Sequence, residues 1–304
     1  MDFNAKFEPK ENKIIHGAGQ SLEAFSNYWN AVEDYKPAMY MTYAKIPKIQ
    51  KWIETMKIES KKFPNIILQI GLKILDSKGE DLTLEVLGGK YDKDLNEFFK
   101  TIKEFENPVF LRIGYEFDRR GKYDSKNFIL AWKYIVDMYK KMGVKNIATV
   151  WCAAPYNGTE PVEPYYPGDK YVDWFGIDIF LSRHLSRKYD PIEKFLELAI
   201  EHKKPVMVGE STPAEVGVLE GEKSWGNWFE KYFRWINSHK QIKAFCYINW
   251  DWAIDKTWGS PGTWGNCRIE ENEIVRKKFV RELGNPKYIH NQKMEDFLGK
   301  VYTY

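Results

Sequence analysis

The chain is short of the residues that anchor most metal, redox and disulfide chemistry. Its 304 residues include three Cys and five His. Cys152, Cys246 and Cys267 are odd in number and widely spaced, which excludes a disulfide framework and a zinc site built on paired thiolates. Cys152 and Cys246 sit in apolar runs and read as small buried residues. His16, His184, His202, His239 and His290 show no metal-ligand spacing, so neither a metal nor another cofactor is expected. No stretch approaches the ~20 continuous apolar residues of a membrane-spanning helix. Charge of one sign is also missing: 46 Lys and Arg face 43 Asp and Glu. A net excess of +3 creates no field that would select nucleic acid or a membrane surface. The opening MDFNAKFEPKENK is polar and has no apolar core of a signal peptide. Either the protein is extracellular or periplasmic with its signal removed, or it is cytoplasmic.

Several nucleotide and hydrolase signatures are absent as well. Gly17-Ala18-Gly19 begins like a dinucleotide-binding turn, but Leu22 stands where the third glycine belongs. Gly221-Glu222-Lys223-Ser224 lacks the first half of a phosphate-binding loop. No Gly-x-Ser-x-Gly elbow exists to carry a Ser-His-Asp triad.

Aromatic residues are plentiful, with 12 Trp among them. Eight short apolar runs recur: 14–17, 37–41, 65–70, 109–113, 147–151, 174–180, 205–209 and 244–248. Most are continuous rather than alternating, as strands covered on both faces require. Helical patterns lie between them. Ser125 to Met142 places Phe128, Trp132, Ile135, Tyr139 and Met142 on one stripe, with Ser125 as expected N-cap and Gly143 as expected C-cap. Asp190-Pro191-Ile192-Glu193 opens another helix. Segments 21–32, 46–60, 95–104 and 225–238 supply four more. Eight strands alternating with helices over about 250 residues predict an α/β fold, a single-domain (β/α)8 TIM barrel. A doubly wound open sheet is the alternative. Residues 1–13 are expected as a disordered or extended segment and 14–304 as the catalytic barrel.

In such a barrel, function sits where strands end and loops to the helices begin. Strand four runs out into Tyr115-Glu116 and strand seven into Glu210-Ser211-Thr212. Two glutamates therefore stand on opposite sides of one rim. Acetal hydrolysis needs such a pair, one carboxyl to protonate the leaving oxygen and one to attack or to activate water. The strand-five end (Trp151 to Asn157, with Tyr156) and the strand-eight end (Trp250, Trp252) add aromatic groups. Trp258 and Trp264 lie in a Gly- and Pro-punctuated stretch expected to be exposed, where an indole can stack on a sugar ring.

Arg112-x-x-Tyr115-Glu116-x-Asp118 resembles the strand-four signature of glycoside hydrolase family 26, a clan A group that includes β-mannanases. Tyr165-Tyr166-Pro167-Gly168-Asp169 with Tyr171 to Asp178 is similar to its strand-six block. Val208-Gly209-Glu210-Ser211 resembles its nucleophile strand, and Trp250 stands where a strand-eight Trp stacks on the sugar. The resemblance covers about half the chain, from Val109 to Trp252. It implies a retaining, endo-acting glycosidase with Glu116 as acid/base, Glu210 as nucleophile and Arg112 holding the nucleophile. Three departures mark a distant member or a neighbouring family: Tyr115 replaces a His, Asp118 replaces an Asn, and Phe180 replaces a Tyr that bonds the nucleophile.

Arg119, Arg120 and Lys122 follow Glu116 directly, while Arg183, His184, Arg187 and Lys188 follow strand six. A cationic rim suits a sulfated or uronate-containing polysaccharide; ordinary loop charges paired with acids are the other reading. The expectation is a monomer acting on a polysaccharide or oligosaccharide. A neutral mannan or xylan as substrate, and a barrel that only binds carbohydrate, remain as alternatives.

Overall fold

The eight apolar runs of the sequence become eight parallel strands, buried throughout except at Tyr43, Lys45 and Lys73: β1 (Ile14–Gly19), β2 (Met39–Lys45), β3 (Ile67–Lys73), β4 (Val109–Ile113), β5 (Ile147–Ala153), β6 (Trp174–Ile179), β7 (Val206–Ser211) and β8 (Ile242–Ile248). In this computed structural model the described residues are 1–63, 65–156, 159–186, 190–255 and 264–291. Each strand pairs with the next, and β1 pairs in parallel with both β8 and β2, which closes the sheet. The result is a (β/α)8 TIM barrel. The two-residue strand β9 (Tyr288–Ile289), which the run pattern does not signal, pairs in parallel with Ile14 and Ile15 at the start of β1, ahead of the Gly17–Gly19 stretch that pairs with β2.

The alternation of side chains divides each strand between two cores. One set points outward under the helices, with Leu111, Trp151, Phe175, Val208 and Phe245 among them. The other fills the barrel, with Ile15, Met39, Ile67, Phe110, Val150, Cys152, Trp174, Met207 and Cys246. Both sets are apolar, which is why the runs read as continuous.

Residues 1–13 hold no strand or helix, but they are packed rather than disordered. Phe7 is 6% exposed and meets Phe110 edge-on at 6.1 Å between ring centres, at the N-terminal end of the barrel. The Trp174 indole donates to the Lys6 carbonyl at 2.7 Å, and buried Lys243 on β8 binds Asp2 at 2.6 Å. The segment thus fills the barrel floor and neutralises a buried ammonium.

The helices follow the amphipathic pattern, with corrected ends. Ser125–Lys141 buries Phe128, Trp132, Ile135 and Tyr139, but its N-cap is Asp124, whose carboxylate accepts from Asn127 N at 2.9 Å. Ser125 is the first helical residue; the C-cap is Met142, and Gly143 follows it at φ +69°. The expected 225–238 helix is interrupted: a π-helical turn, Trp225–Phe229, precedes Glu230–Ser238. Helices Thr83–Leu87 and Glu273–Leu283 complete the outer layer and were not anticipated.

Candidate active site

The chain leaves β4 through two left-handed residues, Gly114 at φ +56° and Glu116 at φ +52°. Glycine is required at the first, because a Cβ there would stand 2.6 Å from the Phe128 ring. Glutamate is an unusual occupant of the second, where the backbone costs roughly 1–3 kcal/mol. The turn is over-determined by its bonds. Glu116 N donates to Cys152 O on β5 at 2.8 Å, and Lys122 Nζ donates to the Tyr115 carbonyl at 2.6 Å. Asp118 Oδ1 accepts from Ala154 N at 2.8 Å, joining this loop to the one after β5. The Glu116 carboxylate, in a residue only 7% exposed, binds Arg119 Nη2 at 2.7 Å.

Glu210 projects from β7 after an irregularity in its pairing with β6: Ile177 aligns with Val208, but Asp178 aligns with Glu210. Gly209 is the skipped residue. Arg112, buried within β4, crosses the barrel and donates Nη2 to Glu210 at 2.8 Å and Nη1 to Asp178 at 3.1 Å. Its guanidinium lies 4.7 Å from the Tyr115 ring centre and 5.9 Å from that of Tyr43. One fixed cation thus serves two buried acids. Burial, and next the charge of Glu210, push the Asp178 carboxyl well above the usual range against the pull of Arg112. Cys152 Sγ donates to Asp178 Oδ1 at 3.4 Å from inside the barrel. Both the Tyr115 phenol and the Asp178 carboxyl lie within the fields of Glu116 and Glu210, so the two glutamates belong to one site.

The expected aromatic platform separates into parts. Trp151 is not in the cavity: it is fully buried in the outer shell, stacked 4.7 Å from Phe117, with its indole donating to Tyr165 O. The inward residue of that pair is Cys152, assigned to the core by its sequence setting; with both neighbours apolar, the face is invisible in the sequence. At the mouth, Trp264 packs on Phe180 at 5.2 Å and edge-on against Trp252 at 4.9 Å, while Trp250 is half-buried. Tyr156 stacks on buried His184 at 4.3 Å and donates its hydroxyl to the Asp178 carbonyl at 3.1 Å. Burial, with the nearby Arg183 charge, lowers the His184 imidazole to about 4. Asn157 and Trp258, with Arg187 and Lys188, lie outside the described residues.

The cationic residues are engaged within the protein. Arg119 holds Glu116, Arg120 lies 3.4 Å from Glu160, and Arg183 lies 3.1 Å from Glu215. Asp178 was the missed residue; its signal was one acid inside the apolar run Trp174-Phe175-Gly176-Ile177-Asp178-Ile179. Among the described residues no group of three His, Cys, Asp or Glu side chains could hold a metal ion.

The model of glycosyl hydrolase family 26 matches residues 25–230, more than half the chain. The chain belongs to glycosyl hydrolase family 26. Relatives by sequence include two curated proteins. One is a β-1,3-xylanase of Vibrio sp, 27% identical over 263 residues, an alignment covering 78% of this chain and 56% of that protein. The other is a β-1,3-xylanase of Alcaligenes sp, 24% identical, with 98% of this chain and 68% of that protein covered. The chain therefore spans little more than half of the Vibrio protein. Among solved structures, the catalytic domain of a family 26 endo-β-1,4-mannanase from Bacillus sp. JAMB-750 superposes with a TM-score of 0.63 at 15% identity, covering 94% of this chain and 89% of that one. A modular endo-β-1,4-mannanase from Cellulomonas fimi gives 0.62 at 15% identity, covering 92% and 72%. These two share the barrel.

Proposed function

We propose that the barrel is a retaining, endo-acting β-1,3-xylanase in which Glu210 is the nucleophile and Glu116 the acid/base. The observation that carries the assignment of roles is the unequal setting of the two glutamates. Glu210 is held by the buried Arg112, which fixes one carboxylate orientation and keeps its charge stabilised for attack. Glu116, as little exposed as Glu210 itself, stands on a loop and is held instead by an Arg119 side chain that is 39% exposed. In the first step Glu210 attacks the anomeric carbon as Glu116 gives a proton to the departing oxygen. In the second, Glu116 takes a proton from water, which displaces Glu210 from the glycosyl ester.

The substrate part of the proposal follows the two curated relatives, both named β-1,3-xylanases. A neutral glycan also agrees with the ion pairs at Arg119, Arg120 and Arg183, which leave these cations less disposed to take up sulfate or uronate groups. A polymer of that size is met outside the cytoplasm, where this reading places the enzyme.

The test is hydrolysis of β-1,3-xylan, β-1,4-xylan, β-1,4-mannan and a sulfated galactan, with fresh products followed by proton NMR. The expected result is oligosaccharide release from β-1,3-xylan with the β-anomer formed first. Initial α-anomer would overturn double displacement, and turnover of mannan or the sulfated galactan alone would overturn the substrate. Binding without turnover of any of the four would identify a non-catalytic barrel.

A further inference from the structure

The barrel mouth holds a group of lysines that the roles proposed above leave unused. Side chains alternate along β2, where Met39, Met41 and Tyr43 face the barrel interior and Ala44 faces the helices. Lys45, the last residue of that strand, therefore faces inward above Tyr43. On β3, Ile67 faces inward and Leu72 outward. A methyl group on Gly71 would stand 2.9 Å from both the Tyr43 and the Tyr115 rings, and Lys73 follows on that same inward face. Tyr43 pairs in register with Gly71, and Lys45 with Lys73. Two half-buried ammonium side chains thus leave neighbouring strands at one level, about 4.8 Å apart at their bases.

A third lysine joins them. Lys122, from the loop after β4, lies 5.0 Å from the Tyr115 ring centre while donating to the Tyr115 carbonyl. Its charge meets those of Lys73, Glu116 and Glu210, which sets the lysines beside the two glutamates rather than on a remote surface. Burial, opposed by Glu116 and reinforced by Arg119 and Lys73, lowers the Lys122 amine to about 8. Burial, and next the charges of Lys73 and Lys48, lower Lys45 as well.

These cations differ from the arginines of the site. Arg112, Arg119, Arg120 and Arg183 each hold a carboxylate. Among the described residues no carboxylate lies within ion-pair distance of Lys45, Lys73 or Lys122. Asp76, the acid in the field of Lys45, is committed to its own turn, accepting from Lys78 N at 2.7 Å and Glu80 N at 2.9 Å. Like charges held this close repel one another, and a bound anion relieves that repulsion.

We propose that Lys45, Lys73 and Lys122 form a subsite for an acidic substituent, a uronate carboxylate or a sulfate ester, carried by a sugar that flanks the cleaved bond. β3 lies across the closed barrel from β7, so a chain that reaches Glu210 has the lysines on the facing wall. The inference rests on the glycanase reading and refines its substrate: the backbone at the cut stays a neutral xylan, and the acid sits on a neighbouring residue.

Binding is read without turnover by carbon-13 NMR of the lysine side chains. The protein is titrated with methyl β-glucuronoside, a sulfate ester of methyl β-xyloside, neutral methyl β-xyloside and sodium sulfate. Lys45 and Lys73 are expected to shift with the acidic sugars at about tenfold lower concentration than with the neutral one. Saturation by one acidic sugar and not the other names the substituent. Shifts with sodium sulfate alone, or with none of the acidic ligands, overturn the proposal.

Kinetics carry the inference to the reaction. A β-1,3-xylo-oligosaccharide with one glucuronosyl branch or one sulfate should be cut with kcat/KM about tenfold above the unsubstituted chain at low ionic strength, and less at high. Lys45→Gln with Lys73→Gln should abolish this preference and leave the neutral rate, while Arg at both positions should keep it. A preference that survives in glutamine protein of unchanged melting temperature overturns the subsite. Failure to cut any xylan would overturn the reading beneath, and the lysine shifts would still decide the subsite.

Discussion

The Cα of Gly209 lies against the guanidinium of Arg112: a methyl group there would stand 2.9 Å from Nη1. The same methyl would be 2.8 Å from Asp178 Oδ1. The glycine before Glu210 therefore makes room for the buried ion pair that orients that carboxylate. Gly209→Ala should push Arg112 and Asp178 apart, lower stability by about 1–3 kcal/mol and depress kcat more than it changes KM. Thermal melts and steady-state kinetics on the same preparation check both halves. An alanine protein with wild-type kcat would show that the pair yields without disturbing Glu210.

Arg112→Met leaves Asp178 and Glu210 side by side without a cation. Breaking a buried pair in this way costs about 3–5 kcal/mol. Arg112→Lys retains the charge but cannot serve both carboxylates with a planar fork, so it should fold near normally and lose kcat by on the order of a hundredfold. Urea unfolding together with kcat measurements separates the two variants. Equal activity of Lys and Arg enzymes would remove the orienting role.

Asp118 offers a pH-dependent prediction. Burial, with the Glu116 charge adding to it and the Ala154 N–H opposing, pushes its carboxyl up to about 6 from 3.8. A raised folded value means that the folded protein holds the proton more tightly. This contribution is complete below pH 3.8 and is lost as pH rises through about 6. Asp118→Asn keeps an acceptor for Ala154 N and has no proton to lose. Its stability relative to wild type should therefore improve between pH 4 and pH 7 by up to about 2 kcal/mol. Melting temperatures at the two pH values decide it, and a constant difference between the proteins would refute the assignment.

Trp151 and Trp250 should behave in opposite ways. Trp151→Ala opens a hole in the outer shell and is expected to cost about 3–5 kcal/mol with KM retained. Trp250→Ala, at the half-buried mouth, should raise KM severalfold and leave the melting temperature nearly unchanged. Parallel melts and KM values test the pair; a KM defect in folded Trp151→Ala protein would contradict its outward placement.

Much of the architecture was legible because buried parallel strands advertise themselves as apolar runs, and all eight did. The same continuity hid which face of each strand is inside. Trp151 and Cys152 exchanged places for that reason, since neither neighbour is polar. Glu116 and Glu210 were legible as charges at strand ends. The contact of Arg112 with Glu210 spans 98 positions and was available only through the family resemblance. Asp178 escaped because its partner comes from another strand, and an acid within an apolar run is ambiguous until that partner is known. The strand Tyr288–Ile289 has only two residues, too few to show any period.

The packing of Phe7 and Lys6 closes the barrel at its N-terminal end, beneath an interior already filled by side chains. If Glu116 and Glu210 act as proposed, a glycan chain reaches them from the opposite face alone, and both halves of the cut chain leave by that face. Under the same proposal the water of the second step arrives along the route that the first product vacates, and traffic past Tyr156, Trp250, Trp252 and Trp264 sets an order of events that the two carboxylates alone could not impose.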